Sequence, residues 1–133
     1  MNRIAFICVN SSERFLYKDI AVGTLDYLLN TLHDQSKGLF YSSQDAWEDY
    51  YRLPRKDREA AIKPTVDKTA YTGWSALCAS AFVKGYCVLG KSSYVDMAAA
   101  TLDRLWNECW GPDRGMSHVI GGPQVQPPVL EDH

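Results

Sequence analysis

Tyr17-Lys18-Asp19-Ile20-Ala21-Val22-Gly23-Thr24-Leu25-Asp26-Tyr27-Leu28-Leu29-Asn30 is written a second time, 77 residues later, as Tyr94-Val95-Asp96-Met97-Ala98-Ala99-Ala100-Thr101-Leu102-Asp103-Arg104-Leu105-Trp106-Asn107. Tyr, Asp, Ala, Thr, Leu, Asp, Leu and Asn recur in step, and Gly38 and Gly115 keep the same offset, each followed by a hydrophobic residue. Two amphipathic helices matched by chance would share apolar spacing, not their polar residues and a terminal glycine. A fixed period of this kind marks a repeated supersecondary unit.

Working outward, Leu16, Ile20, Leu28 and Leu32 recur at helical spacing, flanked by Ala21, Leu25 and Leu29. This stripe is wide enough to pack on two neighbours. The helix is expected over about 12–35, with Asn10-Ser11-Ser12-Glu13 as its N-cap signal and Gly38 as its left-handed stop. From Trp74 to Leu89 the chain is apolar or small on nearly every face, with Lys84 its only charge, so this helix is expected to be surrounded by protein. Gly90 stops it, Ser92-Ser93 cap a third helix over about 94–110, and Ala98, Leu102, Leu105 and Cys109 share one line of that helix, with Trp106 and Trp110 beside it.

Between the first two helices runs a long loop, 39–72, with helical turns expected at Trp47–Tyr51 and, after Pro54, at Arg55–Ala61. A loop of that length in a small domain is more often a lid or binding loop than filler. The tail 111–133 reads as irregular, with Met116–Ile120 extended, and the opening Ile4–Val9 fits a strand or a helix end equally well. The order is outer helix, inner helix, outer helix, and no inner helix follows. The fold class is therefore all-α, an αα-hairpin array forming an arc of a larger ring, as one partial domain over 1–133.

The chain has 133 residues, 46% hydrophobic and 23% charged, enough for one core. A net charge of -2 with scattered basic residues points away from nucleic acid and from anionic membrane surfaces. Cys8, Cys78, Cys87 and Cys109 lack CxxC spacing and read as buried, reduced thiols. His33, His118 and His133 show no ligand spacing, so neither metal nor cofactor is expected. The apolar run before Asn10 is shorter than a secretory h-region, which makes the cytoplasm the expected location.

Gly38-Leu39-Phe40-Tyr41-Ser42-Ser43-Gln44-Asp45-Ala46, Tyr50-Tyr51 and Val66-Asp67-Lys68-Thr69-Ala70-Tyr71-Thr72-Gly73-Trp74-Ser75-Ala76-Leu77 resemble the α/α-toroid part of the YyaL-like, spermatogenesis-associated thioredoxin-domain-containing proteins. The resemblance spans about 12–133. It implies an arc of an (α/α)6 toroid, similar to six-hairpin glycosidases and sugar epimerases, without the thioredoxin domain. The pattern of those proteins is Gln or Glu, then Asp-Ala-Asp, and later Thr-Asp-Trp-Asn-Ala-Leu. Here Trp47 replaces the second Asp, Gly73 replaces Asp and Ser75 replaces Asn.

Sugar-active toroids use two carboxylates that flank the reacting bond, over a floor of aromatic rings. Asp45 and Asp67, at opposite ends of the long loop, are the candidate catalytic pair. Tyr41, Gln44, Lys68, Tyr71 and Trp74 are the candidate substrate-binding residues. The bland alternatives are solvated loop carboxylates that cap turns, a Trp74 that anchors the core, and a Gln44 that bonds loop backbone. The function expected is a fragment or degenerate copy of a carbohydrate-active toroid that binds a sugar-like molecule. The alternative is a non-catalytic helical module that self-associates or docks on another subunit through an open apolar flank.

Overall fold

The computed structural model describes residues 11–121 and Val129; the expected Asn10 cap, the Ile4–Val9 segment and Cys8 lie outside them. α1 (Ser11–Tyr27) continues through a π-helical turn, Leu28–Leu32, and then stops. The helix expected to reach residue 35 ends three residues earlier, because the Asp34 carboxylate accepts from the Ser36 and Lys37 backbone N–H groups and offers them a turn instead of a helix. β1 (His33–Asp34) and β2 (Leu39–Phe40) close that turn as an antiparallel pair, with Gly38 left-handed at φ 66°.

The long loop is organised. β3 (Ser43–Gln44) pairs antiparallel with β4 (Val66–Asp67), so both ends of the excursion between them are clipped together. Two short helices lie within it, α2 (Glu48–Arg52) and α3 (Arg55–Ala60), with Pro54 one position earlier than expected, at the cap of α3. Next comes α4 (Thr72–Leu89), capped by left-handed Gly90 at φ 72°. α5 (Ser92–Cys109) starts without a side-chain cap; Lys91 holds the cap position and Ser92 is already helical, which corrects the expected serine cap. β5 (Trp110–Gly111) and β6 (Gly115–Met116) form the second hairpin, 77 residues after the first at its opening residue.

α4 lies between the two outer helices. Phe82 stacks on Phe40 at 5.7 Å and meets Tyr94 edge-on at 5.2 Å, and Leu25, Ala79 and Ala98 complete this core. A second cluster gathers Leu39, Leu105 and Cys109. Gly85 is where α4 is approached from both sides: a Cβ there would sit 2.8 Å from Leu25 Cδ1 and 3.2 Å from Tyr94 Cδ2. Ser75, one of the residues that departs from the toroid pattern, is fully buried, and its hydroxyl lies 3.4 Å from both the N–H and the carbonyl of Phe40.

α4 is not enclosed as expected: Leu77 is 69% and Val88 79% exposed, and Trp74, Val83 and Tyr86 are also exposed. The N-terminal half of the α1 stripe is open as well, at Leu16 and Ile20. On α5 the buried line is Tyr94, Ala98, Thr101, Leu105 and Cys109, so Leu102 belongs to the open side with Trp106 and Trp110. The thiols of Cys78 and Cys109 are pushed up by burial and stay protonated, whereas Cys87 is exposed, contrary to expectation. Among the described residues no helix is long and apolar enough to cross a membrane.

Candidate functional site

A cleft of about 610 Å³ opens where the first turn meets α5 and the end of the long loop. Its charged residues are Asp34 and Lys37 from the turn, Asp67 and Lys68 from β4 and the segment after it, and Arg104 and Glu108 from α5. Three acids face three bases, so the cleft has little net charge and is rich in hydrogen-bonding groups. The Tyr41 ring lies in it, with Lys68 Nζ 6.0 Å from the ring centroid.

Each charge is held by a local device. Asp34 accepts from the Ser36 hydroxyl at 2.6 Å and from the Tyr41 hydroxyl at 2.9 Å, together with the two turn N–H groups. These bonds, the Ser36 hydroxyl foremost, hold its carboxyl down to about 2, and the same contact raises Tyr41. Asp67 accepts from the Thr69 N–H at 2.9 Å and the Thr69 hydroxyl at 2.8 Å, which, with Ser42 nearby, keep it below the usual carboxylate range. Arg104 donates to the Lys37 carbonyl, and its guanidinium faces Glu108 at 3.0 Å. Thr101, one turn earlier on α5, donates to the Gly38 carbonyl at 2.8 Å.

The cleft thus gathers three of the seven expected site residues, Tyr41, Asp67 and Lys68. Asp45 does not line it. Asp45 lies just past β3, its N–H donating to the Thr65 carbonyl at 2.8 Å, two residues from the Ser43 that pairs with Asp67. Gln44 donates to the Pro64 carbonyl at 3.0 Å and accepts from the Tyr27 hydroxyl at 3.1 Å, so it ties loop to helix. Tyr71 packs between the Trp74 and His118 rings, each at 5.0 Å, and Trp74 is exposed at the start of α4 instead of anchoring the core.

A second cleft, of about 480 Å³, is lined by Tyr50, Arg55, Arg58, Glu59 and Lys63 and contains none of the expected site residues. His33 Nε2 is buried without a hydrogen bond, and burial lowers the ring's pKa, so it is a neutral packing group against Phe40 at 4.9 Å.

The arrangement favours binding over proton transfer. A glycosidase acid needs a carboxyl whose pKa is raised, and Asp34 and Asp67 are both shifted the other way. At neutral pH they are acceptors for hydroxyl groups. Asp34, Lys37, Arg104 and Glu108 escaped the sequence reading. Arg104 did carry a signal, since it breaks the repeat where α1 has Tyr27.

No protein-family model matches this chain, and none of the curated proteins matches it. Among solved structures it is similar to a glycoside hydrolase family 76 protein (mannosidase) from Bacteroides thetaiotaomicron, at 26% identity and a TM-score of 0.58. The match covers 78% of this chain and 25% of that one, so the chain spans about a quarter of the structure it matches. The helical part of the chain therefore resembles part of an α/α toroid.

Proposed function

We propose that this chain is a saccharide-binding segment of a carbohydrate-active α/α-toroid, and that the cleft between the first turn and α5 holds the sugar. The observation that carries the reading is Asp67 kept ionised beside the Tyr41 ring, in a cleft without net charge. Sugars are bound by aromatic faces and by ionised side chains that hydrogen-bond several hydroxyls at once. The likeness to a mannosidase makes a manno-oligosaccharide the first ligand to try, and the finer kinship with the YyaL-like proteins belongs to the same proposal.

Titration calorimetry of the chain with manno-oligosaccharides tests it. A Kd on the order of 1 mM is expected. Asp67→Ala should weaken it about tenfold, the loss of one charge-assisted hydrogen bond, and Tyr41→Ala should weaken it comparably. Absence of binding, or binding indifferent to both substitutions, refutes the reading. If the segment also takes part in hydrolysis, the catalytic role falls to Asp45 together with Asp67, the two carboxylates at the ends of the long loop. Turnover of an aryl mannoside that survives Asp45→Asn would remove that role.

A further inference from the structure

The 480 Å³ cleft of the long loop differs from the cleft beside the first turn in its charge. Arg55, Arg58 and Lys63 stand there against the one carboxylate of Glu59, whereas in the other cleft three acids face three bases. Local structure gathers the cations. Arg55 and Arg58 are three residues apart on α3 and so share one side of it. The Tyr50 hydroxyl donates to the Arg58 carbonyl at 3.4 Å and fastens α2 to α3. Lys63 precedes Pro64, which is buried and whose carbonyl accepts from Gln44 at 3.0 Å, so the backbone that carries the lysine is anchored.

Other arginines of the chain meet a carboxylate: Arg52 pairs with Glu48 at 2.8 Å and Arg104 with Glu108 at 3.0 Å. Among the described residues no carboxylate pairs with Arg55, Arg58 or Lys63, although Glu59 follows Arg55 at the spacing of a helical ion pair. The Nε of Arg58 is also buried and donates to no described group. A buried donor without an acceptor is costly, and a guanidinium cannot relieve that cost by losing its proton.

We propose that this cleft binds an oxyanion, a phosphate or carboxylate group, carried on a small ring compound. Arg55 and Arg58 offer forked donors that match two oxygens of such a group, Lys63 adds a point charge, and the Arg58 Nε gains its acceptor. The ring of the ligand lies against Tyr50, in a cleft whose volume falls within the about 300–1,000 Å³ of small-molecule sites and exceeds what a bare anion fills. The two clefts share no lining residue, so the proposal is independent of the saccharide reading.

Titration calorimetry of the whole chain with phenyl phosphate and benzoate tests it, with inorganic phosphate as the bare anion and benzyl alcohol as the neutral ring. At least one ring-bearing anion is expected to bind more tightly than either control, and the better of the two identifies the group. Arg58→Gln should weaken that binding about tenfold, and Arg58→Lys should not restore it, because a point charge does not replace the fork. Arg55→Gln, at an exposed position, should give a comparable loss and serves if the Arg58 variants are unstable. Glu59→Gln should tighten binding by removing the opposing charge, a gain that a merely structural role would not produce. Asp67→Ala, in the other cleft, should leave it unchanged. No binding of either anion, equal binding of benzyl alcohol or inorganic phosphate, or an affinity indifferent to the arginine substitutions overturns the proposal.

Discussion

Asp34 and Gly111 hold the same place in the two copies of the repeat, and the first lines the 610 Å³ cleft. Both open an antiparallel hairpin closed by a left-handed glycine, Gly38 or Gly115. The first turn has four residues between its paired ends, and the next outer helix lies over it: Thr101 caps the Gly38 carbonyl and Arg104 the Lys37 carbonyl. The second is one residue shorter, and Arg114, not a following helix, closes it through the Gly111 and Glu108 carbonyls. The first turn therefore supplies one wall of the cleft, and another wall comes from the outer helix that follows.

Changes at pairs related by the repeat break this comparison in a predictable order. Phe40, fully buried, corresponds to Ser117, whose hydroxyl donates to the Cys109 carbonyl at 3.1 Å. Phe40→Ala should cost about 3–5 kcal/mol in urea unfolding, the largest effect in the set. Next, Thr101→Val leaves the Gly38 carbonyl without its donor and should cost about 1–3 kcal/mol, whereas Thr24→Val should stay within about 0.5 kcal/mol. Equal losses at the two threonines would remove the asymmetry claimed for the two helices.

Gly23 corresponds to Ala100, and a Cβ at Gly23 meets nothing within 4 Å. Gly23→Ala should therefore stabilise the chain by about 0.5–1 kcal/mol, read as a shift of the urea midpoint at constant slope. The smallest effect appears only in acid. Asp34 titrates at about 2 in the folded chain and near 3.9 when unfolded, so it binds fewer protons folded. Its contribution is complete above about pH 4 and is lost as pH falls toward 2. Asp34→Asn should flatten the stability profile in that window, and an unchanged acid limb would show that the turn does not hold the carboxylate.

The 77-residue period and the glycine stop of α4 could be read from the sequence, because glycine stops and apolar spacing are local, whereas α4 and α5 each begin two residues before the expected start. Which side of each helix is buried could not, since α1 and α5 carry the same pattern and only the neighbour present decides. The same reasoning explains the end of α1, where an aspartate turn outweighed helical periodicity, and the exposure of Trp74, Leu77 and Val88, whose composition specifies burial that this chain alone does not supply. Of the residues lining the cleft, Tyr41, Asp67 and Lys68 could be singled out from the sequence because they flank an aromatic loop. Asp34, Lys37, Arg104 and Glu108 were missed because they meet only across the junction of two units.

The ladder between β3 and β4 has a further consequence. By joining Ser43 to Asp67 and Gln44 to Val66, it makes the excursion that holds α2 and α3 a closed appendix whose ends stay fixed whatever its length. Loop closure costs only about 0.6 kcal/mol per doubling of length, so a guest sequence spliced between Leu53 and Pro54 would leave Tyr41 and Asp67 where they are. The scaffold and the segment most free to diversify are thus separable, and selection can rewrite one while leaving the other intact.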